Sequence, residues 1–254
     1  MSRFFHAFAI ALLGTTPPAI SQEAGAGRIA QISQHMGEMS MQMAMPSEGG
    51  TADQAVRETL RFEPWQMLDD LFRDDIVFLM RHGPTDWSKR DVIGVAPTDC
   101  ANQRIMTPEG QDRMREMGIL LAGNGIVPGR IMVSEWCRNQ QTLQALLDGM
   151  AMIEPGLSEA VAIEIAPNAN LLLSLRGAPT VTGLREAISS WQGGGDGPLL
   201  IISHFTNIAE LTEFNVYEGE ALVLDPDRGN RVLGYLRLRS AAPDVGHFDA
   251  SVAP

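Results

Sequence analysis

The sequence predicts an α/β fold, a three-layer sandwich with a mostly parallel central sheet. Three observations carry that expectation. Residues 76–80 and 199–202 are unbroken apolar runs of strand length, the pattern of strands covered on both faces. Between them lie longer segments whose apolar residues recur at helical spacing, and clusters of Gly and Pro separate one kind from the other. Buried strands alternating with amphipathic helices pack as layers around one sheet, and ligands of such sheets bind beyond the carboxyl ends of the strands.

Along the chain, Met1-Ser2-Arg3 leads into the apolar residues 4–13, then Pro17-Pro18 and the small-residue site Ala19-Ile20-Ser21. Residues 1–21 therefore read as a secretory signal peptide, and the protein as periplasmic or secreted. The apolar run falls short of the ~20 residues that a bilayer requires, so no membrane span is expected. Residues 22–50, rich in Gly, Ala, Gln, Ser and Met, read as a flexible Met-rich linker. Its segment 35–45 holds five methionines and His35, soft donors that suit Cu(I). Alternating methionines impose no fixed geometry, which favours the plainer reading of a tract that sticks to apolar surface.

A domain is expected over residues 51–254. Thr51-Ala52-Asp53-Gln54 has the form of a capping box that opens a helix, and Pro64 opens a second helix with Trp65, Leu68, Leu71 and Phe72 at helical spacing. The strand at 76–80 follows. Thr107-Pro108-Glu109 caps a helix whose stripe is Met114, Met117 and Leu121 and which Gly123 and Gly125 end. A strand over 130–134 runs directly into a helix bearing Leu143, Leu146 and Leu147. A helix over 182–191 turns Leu184 and Ile188 inward, a Gly-rich turn precedes the strand 199–202, and a short helix covers 206–212. Strands at 220–224 and 231–238 are joined by the turn 225–229.

Composition narrows the function. With 254 residues, 44% of them hydrophobic and 20% charged, the chain builds one generous domain with an appendage, and is neither a disordered tail nor a small disulfide scaffold. A net charge of −12, or −13 once Arg3 leaves with the signal peptide, argues against nucleic acid as a partner. Lys89 is the single lysine among 19 basic residues, so nearly every cation is a planar guanidinium suited to phosphate or carboxylate.

Three strand ends carry matching chemistry: Arg81-His82-Gly83, Ser134 running into Arg138, and Ser203-His204. Strand alternation sends Arg81 and His82 to opposite faces unless the chain leaves the sheet there, and Gly83 is expected to permit that turn. Guanidiniums beside an imidazole oppose a second positive charge and keep its nitrogen neutral, hence nucleophilic, while they offset the charge of a phosphate dianion.

In this order and spacing the residues resemble the histidine phosphatase superfamily. Met80-Arg81-His82-Gly83 is similar to its RHG motif, and the segment from Ser134 through Arg138 to Thr142 to its serine, arginine and threonine stretch. The segment 202–207 is similar to the part that brings its second histidine, and 218–224 to the strand after it. The resemblance implies that His82 is the nucleophile, that Arg81, Arg138 and His204 hold the phosphate of a small phosphorylated substrate, and that neither a metal nor an organic cofactor takes part. Cys100, Gln103-Arg104 and Cys137 are similar to an exported branch that includes the lipopolysaccharide core heptose phosphatases. An oxidising compartment leaves Cys100 and Cys137 free to pair, and a disulfide between them is expected.

The departure from the pattern concerns the proton donor. Phe205 follows His204 where the acid phosphatase and phytase branch has a carboxylate, which leaves Glu159 and Asp86 as weak candidates. The leading expectation is an exported phosphomonoesterase. A phosphoglycerate mutase-like phosphotransferase and a phosphate-binding protein without turnover are the alternatives, and substrate choice is assigned to the loops 84–105 and 154–180. The sequence carries no signal for an oligomeric state.

Overall fold

The computed structural model describes residues 38–39, 56, 58–63, 65–172, 174, 176–194 and 197–248. Apolar residues on both faces make β3 (Val77–Arg81) and β6 (Leu199–Ser203) the centre of the sheet, paired in parallel from Val77 opposite Leu199 to Arg81 opposite Ser203. On one flank β4 (Arg130–Val133) runs parallel to β6, and β5 (Ala162–Ile165) parallel to β4. On the other, β7 (Ala221–Asp225), β8 (Arg231–Leu238), β2 (Leu60–Glu63) and β1 (Glu38–Met39) add antiparallel strands, giving the order β1-β2-β8-β7-β3-β6-β4-β5.

The sheet is thus mixed. Its parallel half is the part with helical crossovers; β7 and β8 are separated by too few residues for a crossover, so they form a hairpin and must run antiparallel. Because the sheet is pleated, Phe78, Met80, Ile131, Val133, Leu200 and Ile202 face one core. That core is shared with α1 (Pro108–Gly123) and α2 (Cys137–Ile153). Val77, Leu79, Leu199 and Ile201 face a second core with α4 (Thr182–Ser189) and α5 (Phe205–Thr212). Helices on both faces make the three layers. The Thr107 hydroxyl caps α1 by accepting from the Gly110 amide at 2.9 Å, and the expected stripe Met114, Met117 and Leu121 is buried.

Two regions differ from expectation. Val56, Glu58 and Thr59 are not helical and lead into β2, a four-residue strand too short to register as a period; a 3-10 helix, Trp65–Phe72, follows where a helix was expected. The loop assigned to 154–180 contains α3 (Leu157–Ala160) and β5, an edge strand whose Ile163 and Ile165 point to solvent and so break any inside–outside alternation. The signal peptide, the capping box at Thr51 and the Met-rich tract, with its copper alternative, lie outside the described residues apart from Glu38 and Met39. Among the described residues no helix is long and apolar enough to cross a membrane.

Candidate active site

The carboxyl ends of β3, β4 and β6 lie side by side, and the chain leaves the sheet at each. Arg81 ends β3; the His82 amide donates to the Ser203 carbonyl at 3.1 Å, and the His82 carbonyl accepts from the Gly219 amide at 2.9 Å. His82 is thereby pinned between β6 and the approach to β7. Gly83 is needed for space and not for an unusual backbone angle, a correction to the sequence reading: a Cβ there would lie 2.5 Å from Met114 Cγ and 2.6 Å from Met106 Cε. Its amide donates to the Thr142 hydroxyl at 2.8 Å, which in turn donates to the Arg138 carbonyl, so β3 is laced to the first turns of α2.

His82, Arg81, Arg138 and His204 are brought together, each at most 2% exposed. The rings of His82 and His204 meet edge-on at 5.6 Å, and the Arg138 guanidinium lies 4.8 Å from the Trp136 ring, which itself packs on His204. His82 Nδ1 is 3.0 Å from the Gly83 carbonyl. A carbonyl only accepts, so the proton sits on Nδ1 and the lone pair on Nε2. Burial, then the charges of Arg138 and Arg81, hold the His82 imidazole well below its ordinary range. Burial and not the arginines leads that shift, which again refines the sequence reading.

His204 is depressed in the same way, by burial first and then Arg138 and Arg81. The Ser134 hydroxyl donates to Asn170 Oδ1 at 2.9 Å, so at 3.0 Å it accepts from His204 Nε2. His204 Nδ1, Arg81 Nε and Arg138 Nε are buried without a hydrogen-bond partner. The two guanidinium Nε–H groups are donors and, beside the His82 lone pair, describe a receptor for acceptor oxygens; His204 Nδ1 bears a lone pair in the neutral ring and becomes a donor only when that ring takes up a proton. The helices α2 and α5 both begin here, with Arg138 in the first turn of one and His204 at the N-cap of the other, adding the positive ends of two helix dipoles.

Each guanidinium has a carboxylate partner that sequence reasoning missed. Arg138 Nη1 donates to Asp91 at 3.1 Å; burial lowers the Arg138 pKa to about 10 against the support of Asp91. Arg81 Nη1 donates to Asp244 at 2.6 Å and to the Val216 carbonyl at 2.8 Å. Arg104 Nη1 lies 3.5 Å from Glu218 Oε1 and stacks on Trp87 at 3.5 Å. Glu218 also accepts from the Thr85 amide and hydroxyl and from Trp87 Nε1, and stands 4.0 Å from His82 Nδ1. The pairing of Glu218 with Gly219 beside the last strands, and a third histidine, His247, outside the leader and the Met tract, were the available signals.

Neither weak donor candidate serves. Glu159 is exposed in α3, which leads into the start of β5, at the end of the sheet opposite the site. Asp86 is spent on the Ser88 amide and hydroxyl and on Lys89, and those hydrogen bonds lower its pKa, so it holds no proton to give. Cys100 and Cys137 form a disulfide with 5.5 Å between their Cα atoms, clamping the loop that carries Asp91 and Arg104 to the residue before Arg138. Gln103 reinforces the clamp, accepting from the Cys137 amide and donating to the carbonyls of Ala96 and Pro97. A groove of about 260 Å³ is lined by Pro84, Trp87, Glu218 and Asp244, among others, and by none of the four buried residues.

Among solved structures, the protein histidine phosphatase SixA complexed with tungstate matches 64% of this chain and 94% of its own at 22% identity and a TM-score of 0.43. The ecdysone phosphate phosphatase of Bombix mori matches 68% and 97% at 12% identity and 0.43. A mycobacterial glucosyl-3-phosphoglycerate phosphatase matches 66% and 98% at 13% identity and 0.38. No protein-family model and no curated protein matches this chain.

Proposed function

We propose that this protein is a phosphomonoesterase that transfers the phosphoryl group of a small ester to His82 and then to water. The observation that carries the reading is the meeting of a bare His82 Nε2 with the unpaired Nε–H groups of Arg81 and Arg138, which His204 Nδ1 joins as a donor once the dianion brings a proton to that ring. The phosphate oxygens take those nitrogens, Nε2 attacks phosphorus, and the N–P bond forms as the bond to the ester oxygen breaks. The imidazole then carries positive charge, which the Gly83 carbonyl and the Glu218 carboxylate balance from the Nδ1 side. Water attack on phosphorus returns the electron pair to Nε2.

The disulfide suits an oxidising compartment and supports the reading of export, although residues 1–21 are outside the described structure. Export in turn disfavours the mutase alternative. The testing experiment incubates the protein with labelled 4-nitrophenyl phosphate and isolates it denatured: an acid-labile, base-stable label on wild type that His82→Ala lacks is the expected result. Phosphate binding without label and without turnover would establish the non-catalytic alternative instead. Phosphorylated sugars, lipopolysaccharide fragments and phosphohistidine peptides, compared as substrates, then decide whether the heptose phosphatase branch applies.

A further inference from the structure

The reaction above needs a proton for the departing oxygen, and the carboxylates that face the guanidiniums of the site are committed to them. Asp91 is bound to Arg138 and to the Arg104 amide, Glu218 to Thr85, Trp87 and Arg104, and Asp244 to Arg81. Carboxylates paired with guanidiniums stay ionised. Burial opposes the charge on Asp244, yet the hydrogen bond from His247 and the charge of Arg81 hold it below the usual carboxylate range.

The segment after β8 folds back over the mouth of the site. Its Gly246 lies so close to Trp87 that a Cβ would come within 1.8 Å of the indole ring, and Phe248 packs edge-on against Phe205 and Tyr217. His247 stacks on Phe205 with ring centres 4.0 Å apart and planes inclined by 28°, and meets the edge of Trp87 at 5.4 Å. Phe205 immediately follows His204, so the stack sets His247 beside the phosphate-holding cluster, where it reaches Arg81 directly. Its Nδ1 is 3.0 Å from Asp244 Oδ1 and 3.4 Å from Arg81 Nη2. The carboxylate can only accept and the guanidinium only donate. With a proton on Nδ1 the Asp244 bond holds the ring and leaves Nε2 as its working end.

We propose that His247 is the general acid that protonates the leaving oxygen, and that Asp244 is the positioning residue that fixes its ring. This deepens the phosphohistidine reading and rests on it. The His247 side chain is 25% exposed against 3% for His82, so it stands on the solvent side of the cluster, where the alcohol must leave. As the His82 Nε2–P bond forms, the P–O bond breaks, its electron pair stays on oxygen, and the His247 Nε2 proton joins that pair to give the free alcohol. In the second step His247, now neutral, accepts a proton from the attacking water, the P–N pair returns to His82, and phosphate leaves. The Arg81–Asp244–His247 chain makes the same carboxylate orient both the phosphate-binding arginine and the acid.

The charged groups facing His247 are Asp244 on its own segment and Arg81 from β3, with Arg104 and Glu218 behind Trp87. The test is a pair of substrates, glycerol phosphate and 4-nitrophenyl phosphate, on wild type, His247→Phe and His247→Gln. Phe keeps the stack on Phe205 without a proton, and Gln keeps polarity without the ring. Glycerol phosphate should lose about 10²-fold or more in kcat/KM, whereas nitrophenyl phosphate, whose leaving group needs no acid, should change less than about threefold. The alkaline decline of the wild-type glycerol phosphate rate should disappear in both variants, and Asp244→Asn should alter that profile. Equal losses on both esters, an unchanged alkyl rate, or an unchanged pH profile overturns the assignment. Variants that no longer label His82 with nitrophenyl phosphate would show a structural role, which also overturns it. A wild type that cannot be labelled is a separate result and removes the phosphohistidine reading together with this one.

Discussion

The parallel half of the sheet and the antiparallel wing supply different parts of the same site. From the ends of β3, β4 and β6 come His82, Arg81, Arg138 and His204, all within short segments that also build the buried centre of the fold. From the wing and the segment beyond it come Glu218, Asp244 and His247, which touch those residues across 135 or more positions of sequence. The difference teaches that reactive nitrogens were placed by the sheet, whereas their orientation and charge balance were left to loops and a tail. Substitutions in the first group should therefore remove chemistry at little cost in folding, whereas in the second Glu218 should bear on stability more than on phosphoryl transfer, and His247, with Asp244 behind it, on proton delivery.

The largest expected effect is on the parallel side. His82→Ala should lower kcat by at least about 10⁴-fold with an unchanged circular dichroism spectrum, because in the proposed reaction the ring supplies the attacking nitrogen. Labelling that survives in this variant would break the comparison at its base. Arg81→Lys or Arg138→Lys should still cost about 10² to 10³-fold, read as kcat/KM for nitrophenyl phosphate, since an ammonium cannot present the Nε edge of a guanidinium. On the wing side Glu218→Gln leaves Arg104 without its anion, and urea unfolding should report a loss of about 3 kcal/mol while His82 still accepts label. If that variant lost labelling and kept its stability, the division of labour would be wrong.

The disulfide ties the loop after β3 to the start of α2, and Cys100→Ser with Cys137→Ser should cost roughly 3 to 4 kcal/mol by chain entropy across 37 residues, or a Tm lower by on the order of 10 °C. The smallest effect is a pH dependence of stability. His82 and His204 have folded pKa values depressed below about 6.5, so near and below that pH the unfolded chain binds protons that the folded one refuses. Stability from these groups is complete above about pH 7.5 and is lost as pH falls, by about 1.4 kcal/mol per histidine between pH 7.5 and 5.5. Urea unfolding at those two pH values, repeated on His204→Asn, should show the slope reduced.

Legibility follows the same division. The runs at 76–80 and 199–202 announced β3 and β6 because a strand covered on both faces has no polar positions to confuse its pattern. The Thr107 cap and the Met114 stripe placed α1 to within a residue. The residues at the strand ends were legible because strand order and ligand position are linked in layered sheets. β5 and β2 were not, the first because Ile163 and Ile165 sit outside at an edge, the second because four residues hold less than a recognisable period. Asp91, Glu218 and Asp244 were hidden for a physical reason: a carboxylate that pairs with a guanidinium 47 or 163 positions away leaves no local trace, and only the fold brings the partners together.

Pairing every site guanidinium with a carboxylate also decides how a substrate arrives. Arg81, Arg104 and Arg138 face Asp244, Glu218 and Asp91, so the cluster presents no surplus charge beyond about one Debye length, ~8 Å at physiological ionic strength. What an approaching dianion senses first is the whole chain at −12. Diffusional encounter is therefore slowed by the protein's outer field and becomes faster as salt screens it, the reverse of an electrostatically steered enzyme. Attraction begins only at contact, when the phosphate oxygens reach the unpaired Nε–H edges of Arg81 and Arg138.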